Sequence, residues 1–433
     1  MNITIIQAVC FILFIAFTLL MYQMKIRRND VDNDIFFISS IVLFGFTIAT
    51  FRNYIFSQYL QLTYPLNTFL FIPSDRFNDF FSMLKVSSGS NPYGVGEKIG
   101  SSYFPVANSI MYIMNQIGSK YVSLMLLYVL FALVMGLFIK TMFGKKLTFE
   151  NIPAFIIITF TTYPFLFNLD RGNIDMVVFM FLIGFFYFND KGKTFLSILF
   201  LALAISMKLY PGVFLILLLK EKKYKEIAIV IVLSALLTLG SLLTFSGTMA
   251  ENIQALLRNL GGFNQDFNSF YGLQHNLSLY GVVRVITFIM MTLIDGQVTH
   301  GVFAHAIPWY TLAVLVLFIA ISAYILFSEQ TKWKNITILT IVMLIFPNVS
   351  FDYRLIFLFI PLVYFFREGT DSKYRNLYLL LFSLLLIPHN YIYLYWDIST
   401  GVLIYPALMV MIIGLIFFEK IRKKSPLPPI QTN

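Results

Sequence analysis

The sequence predicts an all-α fold, a polytopic membrane bundle of about 11–14 spans. Three observations carry that expectation. Hydrophobic residues fill 58% of the 433 positions and charged residues only 12%, whereas soluble domains average about 25% charged. The apolar residues come in long blocks, and clusters of lysine and arginine separate the blocks. The mean hydropathy is +0.79. A net charge of +10 would raise nucleic acid as a partner for a soluble chain. Here it has a simpler use as loop charge on the cytoplasmic side, so the expected partner is membrane lipid and not nucleic acid. Cys10 is the one cysteine, which excludes a disulfide framework or thiolate metal site within the chain. His275, His300, His305 and His389 have no HxxxH or HExxH spacing, which argues against zinc.

The first apolar block, 3–24, is long enough to span. It lacks a preceding basic segment and a following small-residue cleavage site, so it reads as a retained helix. Further spans follow at 35–52, 120–140, 152–168, 173–189, 194–208, 210–220, 226–245, 306–327, 335–348, 352–366, 376–390 and 401–418. Between them lie Lys25/Arg27/Arg28, Lys140/Lys145/Lys146, Lys191/Lys193, Lys220/Lys222/Lys223/Lys225, Lys332/Lys334, Arg367/Lys373/Arg375 and Lys420/Arg422/Lys423/Lys424. Placing these clusters in the cytoplasm puts the C-terminus there and the N-terminus outside. Arg52, Arg76, Lys85, Lys98, Lys120, Arg171, Lys208, Arg258, Arg284 and Arg354 then fall on or near the other side, where topology does not explain them.

The pairs 194–208/210–220 and 335–348/352–366 are too short for straight spans and read as broken or re-entrant helices. Irregular backbone at membrane depth needs protein or a water-filled cavity around it. The breaks at Lys208–Pro211 and Pro347–Ser350 therefore predict a cavity opening outward. The run 280–294 reads as an in-plane or re-entrant helix. Two long external loops, 53–119 and 246–305, carry aromatic and apolar stretches, and interfacial helices are expected in them. Residues 1–424 form one transmembrane domain, and 425–433 a disordered cytoplasmic tail.

Ionisable residues at membrane depth or its edge are functional candidates because burying charge in hydrocarbon is costly. Asp75, Arg76 and Asp79 come first. In a helix Asp75 and Asp79 share a face at i, i+4, where two carboxylates bind a metal or supply a general base. The competing reading is a solvated loop with an aspartate N-cap. Asp170, Arg171, Asn173 and Asp175 link two spans around Gly172, or form an ordinary capped turn. Lys208 sits at an apex before Tyr210 and Pro211, where an ammonium suits a phosphate; the alternative is a snorkelling lysine. Gln274, His275, Asn276 and Ser278 can hydrogen-bond hydroxyls, or simply cap the following helix, with Arg284 beyond. Asp352 and Arg354 lie between two short segments, as site residues or as a pair stabilising a bend. His389 and Asp397 read as plain loop residues.

Two regions resemble a known family. One is S-D-R-F-N-D-F-F from Ser74, followed by Gly89, by Asn91-Pro92-Tyr93 and by Tyr103-Phe104-Pro105. The other is N-L-D-R-G-N-I-D-M from Asn168, followed by A-L-A-I-S-M-K-L-Y-P ending at Pro211. Order and spacing are similar to those of the family 87 glycosyltransferases, polytopic enzymes of the GT-C class related to bacterial mannosyltransferases. The resemblance runs from about Ile35 to Tyr224 and more loosely beyond, through Gln274–Ser278. Phe104 stands where the family often has proline, one span precedes the usual first, and Asp79 adds a second carboxylate.

The resemblance implies a GT-C-like bundle that transfers a sugar, a mannose-like hexose favoured, from a polyprenyl-phosphate carrier. The acceptor is a lipid-linked or surface glycan on the outer face of the cytoplasmic membrane. It implies Asp75 as general base, with Asp79 as the alternative or as a metal or acceptor ligand, and inversion at the anomeric carbon. Phe77, Phe80 and Phe81 are expected to desolvate the base. Arg171, Lys208, Arg284 and Arg354 are then the expected donor-phosphate ligands. Asn91, Tyr93, Asp170, Asn173, Tyr210, Gln274, His275, Asn276, Ser278 and Asp352 are the expected sugar and acceptor contacts. The Gly89–Gly94 turn is expected to fold the first loop back over the site. No cofactor is required, although the D-x-x-x-D pair permits a divalent metal. Two other readings are weighed: a polysaccharide polymerase or ligase using polyprenyl-diphosphate glycans, and a flippase of an amphipathic anion. Transporters place charge at the midplane of two related halves, and no such halves are evident.

Overall fold

The computed structural model describes residues 3–28, 34–94, 100–143, 151–267, 272–294, 300–369, 372–390, 392–395 and 398–424. The 425–433 tail, Lys98, Lys145, Lys146 and Asp397 lie outside the described residues, as do the side chains of His300 and His305. In chain order the first helices are α1 (Ile3–Arg28), α2 (Asp34–Tyr54), α3 (Asn78–Val86), α4 (Pro105–Asn115), α5 (Lys120–Phe143), α6 (Ile152–Phe160), α7 (Tyr163–Arg171), α8 (Asp175–Asp190) and α9 (Thr194–Met207). There follow α10 (Leu215–Lys220), α11 (Tyr224–Leu243), α12 (Met249–Phe267), α13 (Leu279–Leu293), α14 (His300–Phe327), α15 (Lys332–Ile345), α16 (Phe359–Glu368), α17 (Arg375–Leu385) and α18 (Gly401–Lys424). A short antiparallel hairpin, β1 (Tyr393–Tyr395) with β2 (Ile398–Ser399), pairs Tyr393 with Ser399. The protein is thus an all-α polytopic membrane protein.

Among the described residues, α1, α2, α5, α11, α14 and α18 are long and apolar enough to cross a membrane. Their outward faces explain the composition: Leu236 and Leu239 on α11 and Leu312 and Leu315 on α14 are exposed, as lipid contact requires. By contrast α15 is buried on every side from Trp333 to Ile345, the position expected of a helix apolar all round. The segment read as one span at 152–168 is instead two helices, α6 and α7, bent by 48°. Pro164 opens α7, where a missing N–H costs least, and Tyr163 N donates to the carbonyl of Leu386 at 2.8 Å.

Among the described residues, members of three basic clusters meet carboxylates at helix ends. Asp190 accepts from Lys332 at 2.5 Å and Arg367 at 2.8 Å. Lys334 pairs with Glu419 at 2.8 Å. Asp34 pairs with Lys25 and Arg375. These contacts join the ends of seven helices. Both expected breaks are present. α9 stops at Met207, Lys208 is extended, and a 3₁₀ turn at Tyr210–Phe214 leads into α10. α15 stops before Pro347, and a 3₁₀ turn at Asp352–Leu358 leads into α16.

Both long loops contain helices. The first carries α3 and α4, the second α12 and α13. α12 buries Asn252, Leu256 and Asn259 along one stripe and uses it to grip the first loop. Asn91 Nδ2 donates to the carbonyl of Ser246 and to Asn252 Oδ1, each at 2.7 Å. Asn259 Nδ2 donates to the carbonyls of Tyr93 at 3.0 Å and Ser101 at 3.1 Å. The Gly89–Gly94 turn therefore docks on the second loop, where Ser246 N reaches the carbonyl of Ser90 at 2.9 Å.

Candidate active site

Away from the helix ends that carry those ion pairs, the broken helices and the two loops enclose a cavity of about 730 Å³. Its walls come from the turn before α3, the start of α4, the end of α7, both helix breaks, the C-terminal half of α12 and the 274–275 segment. Each wall has a local reason to be irregular, so the site lies where the helices end.

Asp75 closes a 3₁₀ turn that begins at Pro73, and Phe77 then takes a left-handed conformation before α3. The two carboxylates are therefore not on one helix, as an i, i+4 pair requires. Arg171, at the C-terminus of α7, brings them together. Its Nη1 donates to Asp75 Oδ2 at 3.3 Å and to the Asp75 carbonyl at 3.0 Å, and its Nη2 donates to Asp79. Asn173 Nδ2 adds a second donor to Asp79 Oδ2 at 2.7 Å. The guanidinium stacks 4.1 Å from the centre of Phe71. Gly172 permits this arrangement, ending α7 at φ +63° with no room for a side chain against Phe80. Asp79 is held by two donors, whereas the Asp75 carboxylate has one and is 36% exposed against 20% for Asp79.

Asp170 faces the other way. It accepts from Arg76 Nε and from Phe71 N, both at 3.2 Å, while its carbonyl accepts from Phe77 N at 2.8 Å. It is buried and fixes the Phe71–Phe77 segment on α7.

The second charge cluster centres on Asp175, which the sequence reading left out of the expected site. Asp175 is wholly buried. It pairs with Lys208 Nζ at 2.5 Å and Arg354 Nε at 3.5 Å, and accepts from Tyr210 Oη at 2.8 Å. It opens α8 through an Asx turn, Asp175 N donating to Asn173 Oδ1 at 3.0 Å. That link ties it to the residue that also holds Asp79. Lys208 lies 5.2 Å from the Tyr103 ring, and Arg354 lies 4.7 Å from that of Tyr210. Burial, and then the Asp79 and Asp175 carboxylates, push the Tyr103 hydroxyl far above its usual range. It stays neutral and can serve as a donor. Asp175 follows Asn173 in a polar run, but its burial depends on the distant cations, which spacing alone does not reveal.

A third group lies at the wall opposite. His275, at φ 54°, turns Nδ1 to Asp352 Oδ2 at 3.2 Å. Tyr163 Oη donates to the same oxygen. Gln274 also lines the cavity.

The other expected contacts sit apart from the lining. Arg284 is buried in α13, donates to the carbonyls of Phe267 at 3.1 Å and Gly272 at 3.3 Å, and lies over Tyr280. Asn276 bridges backbone, accepting from Ser278 N and Ser350 N. Ser278 caps α13 by accepting from Gly281 N at 2.8 Å. Asn91 and Tyr93 join the two loops. Phe77, Phe80 and Phe81 pack among themselves and with Tyr121 and Tyr128. The aromatic lining instead includes Phe71, Tyr103, Phe104 and Phe167. Among the described residues, no three His, Cys, Asp or Glu side chains gather as a metal site.

The cavity combines partly exposed carboxylates, cations and aromatic faces within a membrane bundle. No curated protein and no solved structure matches the chain. The family model described as "Glycosyltransferase family 87" matches residues 103–350, more than half of the chain. The match takes in Arg171, Asp175, Lys208 and His275, and leaves Asp75, Asp79 and Arg354 beyond its ends. With that match over the cation side of the cavity, the chain belongs to glycosyltransferase family 87.

Proposed function

We propose that this membrane glycosyltransferase takes a hexose, mannose-like, from a polyprenyl-phosphate donor. It transfers the sugar to a glycan or glycolipid acceptor at the outer face of the cytoplasmic membrane. The observation that carries the reading is the pairing, in one cavity, of the Asp75/Asp79 carboxylates with the Arg171, Lys208 and Arg354 cations. Family membership supports a sugar donor and a glycan acceptor. The outer-face reading is supported by the separation of the cavity from the helix ends that carry Lys25, Lys332, Lys334, Arg367 and Arg375.

In this reading Asp75 takes the proton of the acceptor hydroxyl. The acceptor oxygen attacks the anomeric carbon as the bond from that carbon to the phosphate oxygen breaks, which inverts the configuration. Lys208 and Arg354 stabilise the charge that collects on the leaving phosphate. Asp75 is favoured over Asp79 because it has fewer donors and more exposure. Asp79 holds Arg171 against it. No cofactor is required, and a divalent metal at the carboxylate pair would have to compete with Arg171.

The test uses the full chain in lipid nanodiscs with a radiolabelled polyprenyl-phosphate mannose and membrane glycolipids as acceptors. Asp75→Asn should lower kcat by about 10²–10⁴-fold with little change in KM. Undiminished transfer in Asp75→Asn, with loss in Asp79→Asn, would move the base to Asp79. Transfer of whole repeats from a diphosphate carrier would replace the reading with a polymerase.

A further inference from the structure

His275 is a side chain lining the cavity whose chemistry the transfer step leaves unused. Its ring is buried and lies between Phe71 and Phe167, with centroids at 5.6 Å and 5.0 Å. All three residues line the cavity. Its backbone is left-handed, a conformation strained for a non-glycine residue that persists only where surroundings over-determine it. They do so here. The carbonyl of His275 accepts from Asp352 N at 3.1 Å, and Asn276 bridges to Phe351.

The hydrogen bonds fix which nitrogen carries the proton. Asp352 Oδ2 receives Tyr163 Oη on one side and His275 Nδ1 on the other. A carboxylate oxygen only accepts, so Nδ1 must donate. In the neutral ring, Nε2 is then a bare lone pair. That nitrogen is buried and has no partner, and the Nε2 amide of the adjacent Gln274 is in the same condition. Tyr163 is itself held, stacked on Tyr405 at 5.7 Å and receiving Asn390 Nδ2 at 3.4 Å. Buried polar atoms without partners are rare in folded proteins. His275 and Gln274 both line the cavity, and an acceptor and a donor on one cavity wall suit the hydroxyls of a sugar.

We infer that Tyr163 and Asp352 are positioning residues that hold His275 in one tautomer, so that Nε2 accepts from a sugar hydroxyl while Gln274 donates to a second hydroxyl. The inference rests on reading the cavity as a sugar-transfer site. It moves Asp352 from a sugar contact to a group behind the contact, and it adds Tyr163, which has no polar motif around it.

Two measurements test it, and the first is independent of turnover. The full chain, labelled with ¹⁵N-histidine, is studied by NMR in nanodiscs, and His275 is assigned by its loss in His275→Gln. The expected result is a protonated Nδ1 and a bare Nε2 in the wild type. Asp352→Asn should shift the ring toward the other tautomer while the signals of the other three histidines stay in place, reporting an intact fold. A protonated Nε2 in the wild type, or an unchanged tautomer in Asp352→Asn, overturns the relay. Titration with n-octyl α-D-mannopyranoside should move the His275 Nε2 resonance, and no movement overturns the hydroxyl contact. The second measurement compares transfer to mannoside acceptors and their single deoxy analogues. One deoxy position should cost the wild type about 10-fold or more in kcat/KM and cost His275→Ala nothing further; equal sensitivity in both proteins overturns the assignment. Absence of any transfer from polyprenyl-phosphate mannose would refute the proposed donor and leave the tautomer result standing.

Discussion

Replacing Asp175 by asparagine should separate stability from ligand affinity in opposite directions. The carboxylate is wholly buried and neutralises Lys208 at 2.5 Å and Arg354 at 3.5 Å. Asparagine keeps the shape and can still accept from Tyr210, so the loss is one of charge. Removing one partner of a buried ion pair costs about 3–5 kcal/mol, because the charge left behind is uncompensated. The retained hydrogen bond returns about 1 kcal/mol, which leaves a net loss of about 2–4 kcal/mol for the unliganded protein. A lipid phosphate supplies the missing negative charge, so the variant should bind it more tightly than the wild type. Ligand at 100 times its Kd stabilises a protein by about 2.7 kcal/mol, and each tenfold gain in affinity adds about 1.4 kcal/mol. The assay is thermal unfolding in nanodiscs, followed by tryptophan fluorescence, with and without a polyprenyl phosphate. The variant should melt lower alone and gain more on adding lipid. Equal melting of both proteins without ligand, or an equal gain with it, would refute Asp175 as the counter-charge that stands in for a phosphate.

Gly172→Ala should destabilise by about 1–3 kcal/mol and lower transfer activity, as read by thermal unfolding and sugar transfer on the same sample. The new methyl would sit 2.8 Å from Phe80 Cβ at φ +63°, pushing Arg171 away from Asp75 and Asp79.

Much of this protein follows from its sequence alone. Long apolar blocks admit no soluble fold, and a proline beside a lysine at an apex cannot continue a helix. The all-α membrane bundle, the two breaks and the candidates Asp75, Asp79, Arg171, Lys208 and Arg354 were accordingly legible. The tertiary structure decided what those residues do to one another. Asp75 and Asp79 meet through Arg171, 92 residues beyond Asp79 in the chain, and not through a shared helix face. Asp175 reads as one polar residue in a turn until Lys208 and Arg354 fold onto it. Arg284 reads as an unexplained cation until its guanidinium is seen spent on the carbonyls of its own loop. His275 and Asp352 are 77 residues apart, and only the fold brings Nδ1 of one to Oδ2 of the other. The physical reason is common to all four cases. A sequence records which groups cannot be left in hydrocarbon, but a charge chooses its partner by distance in space, and only the packed bundle sets that distance.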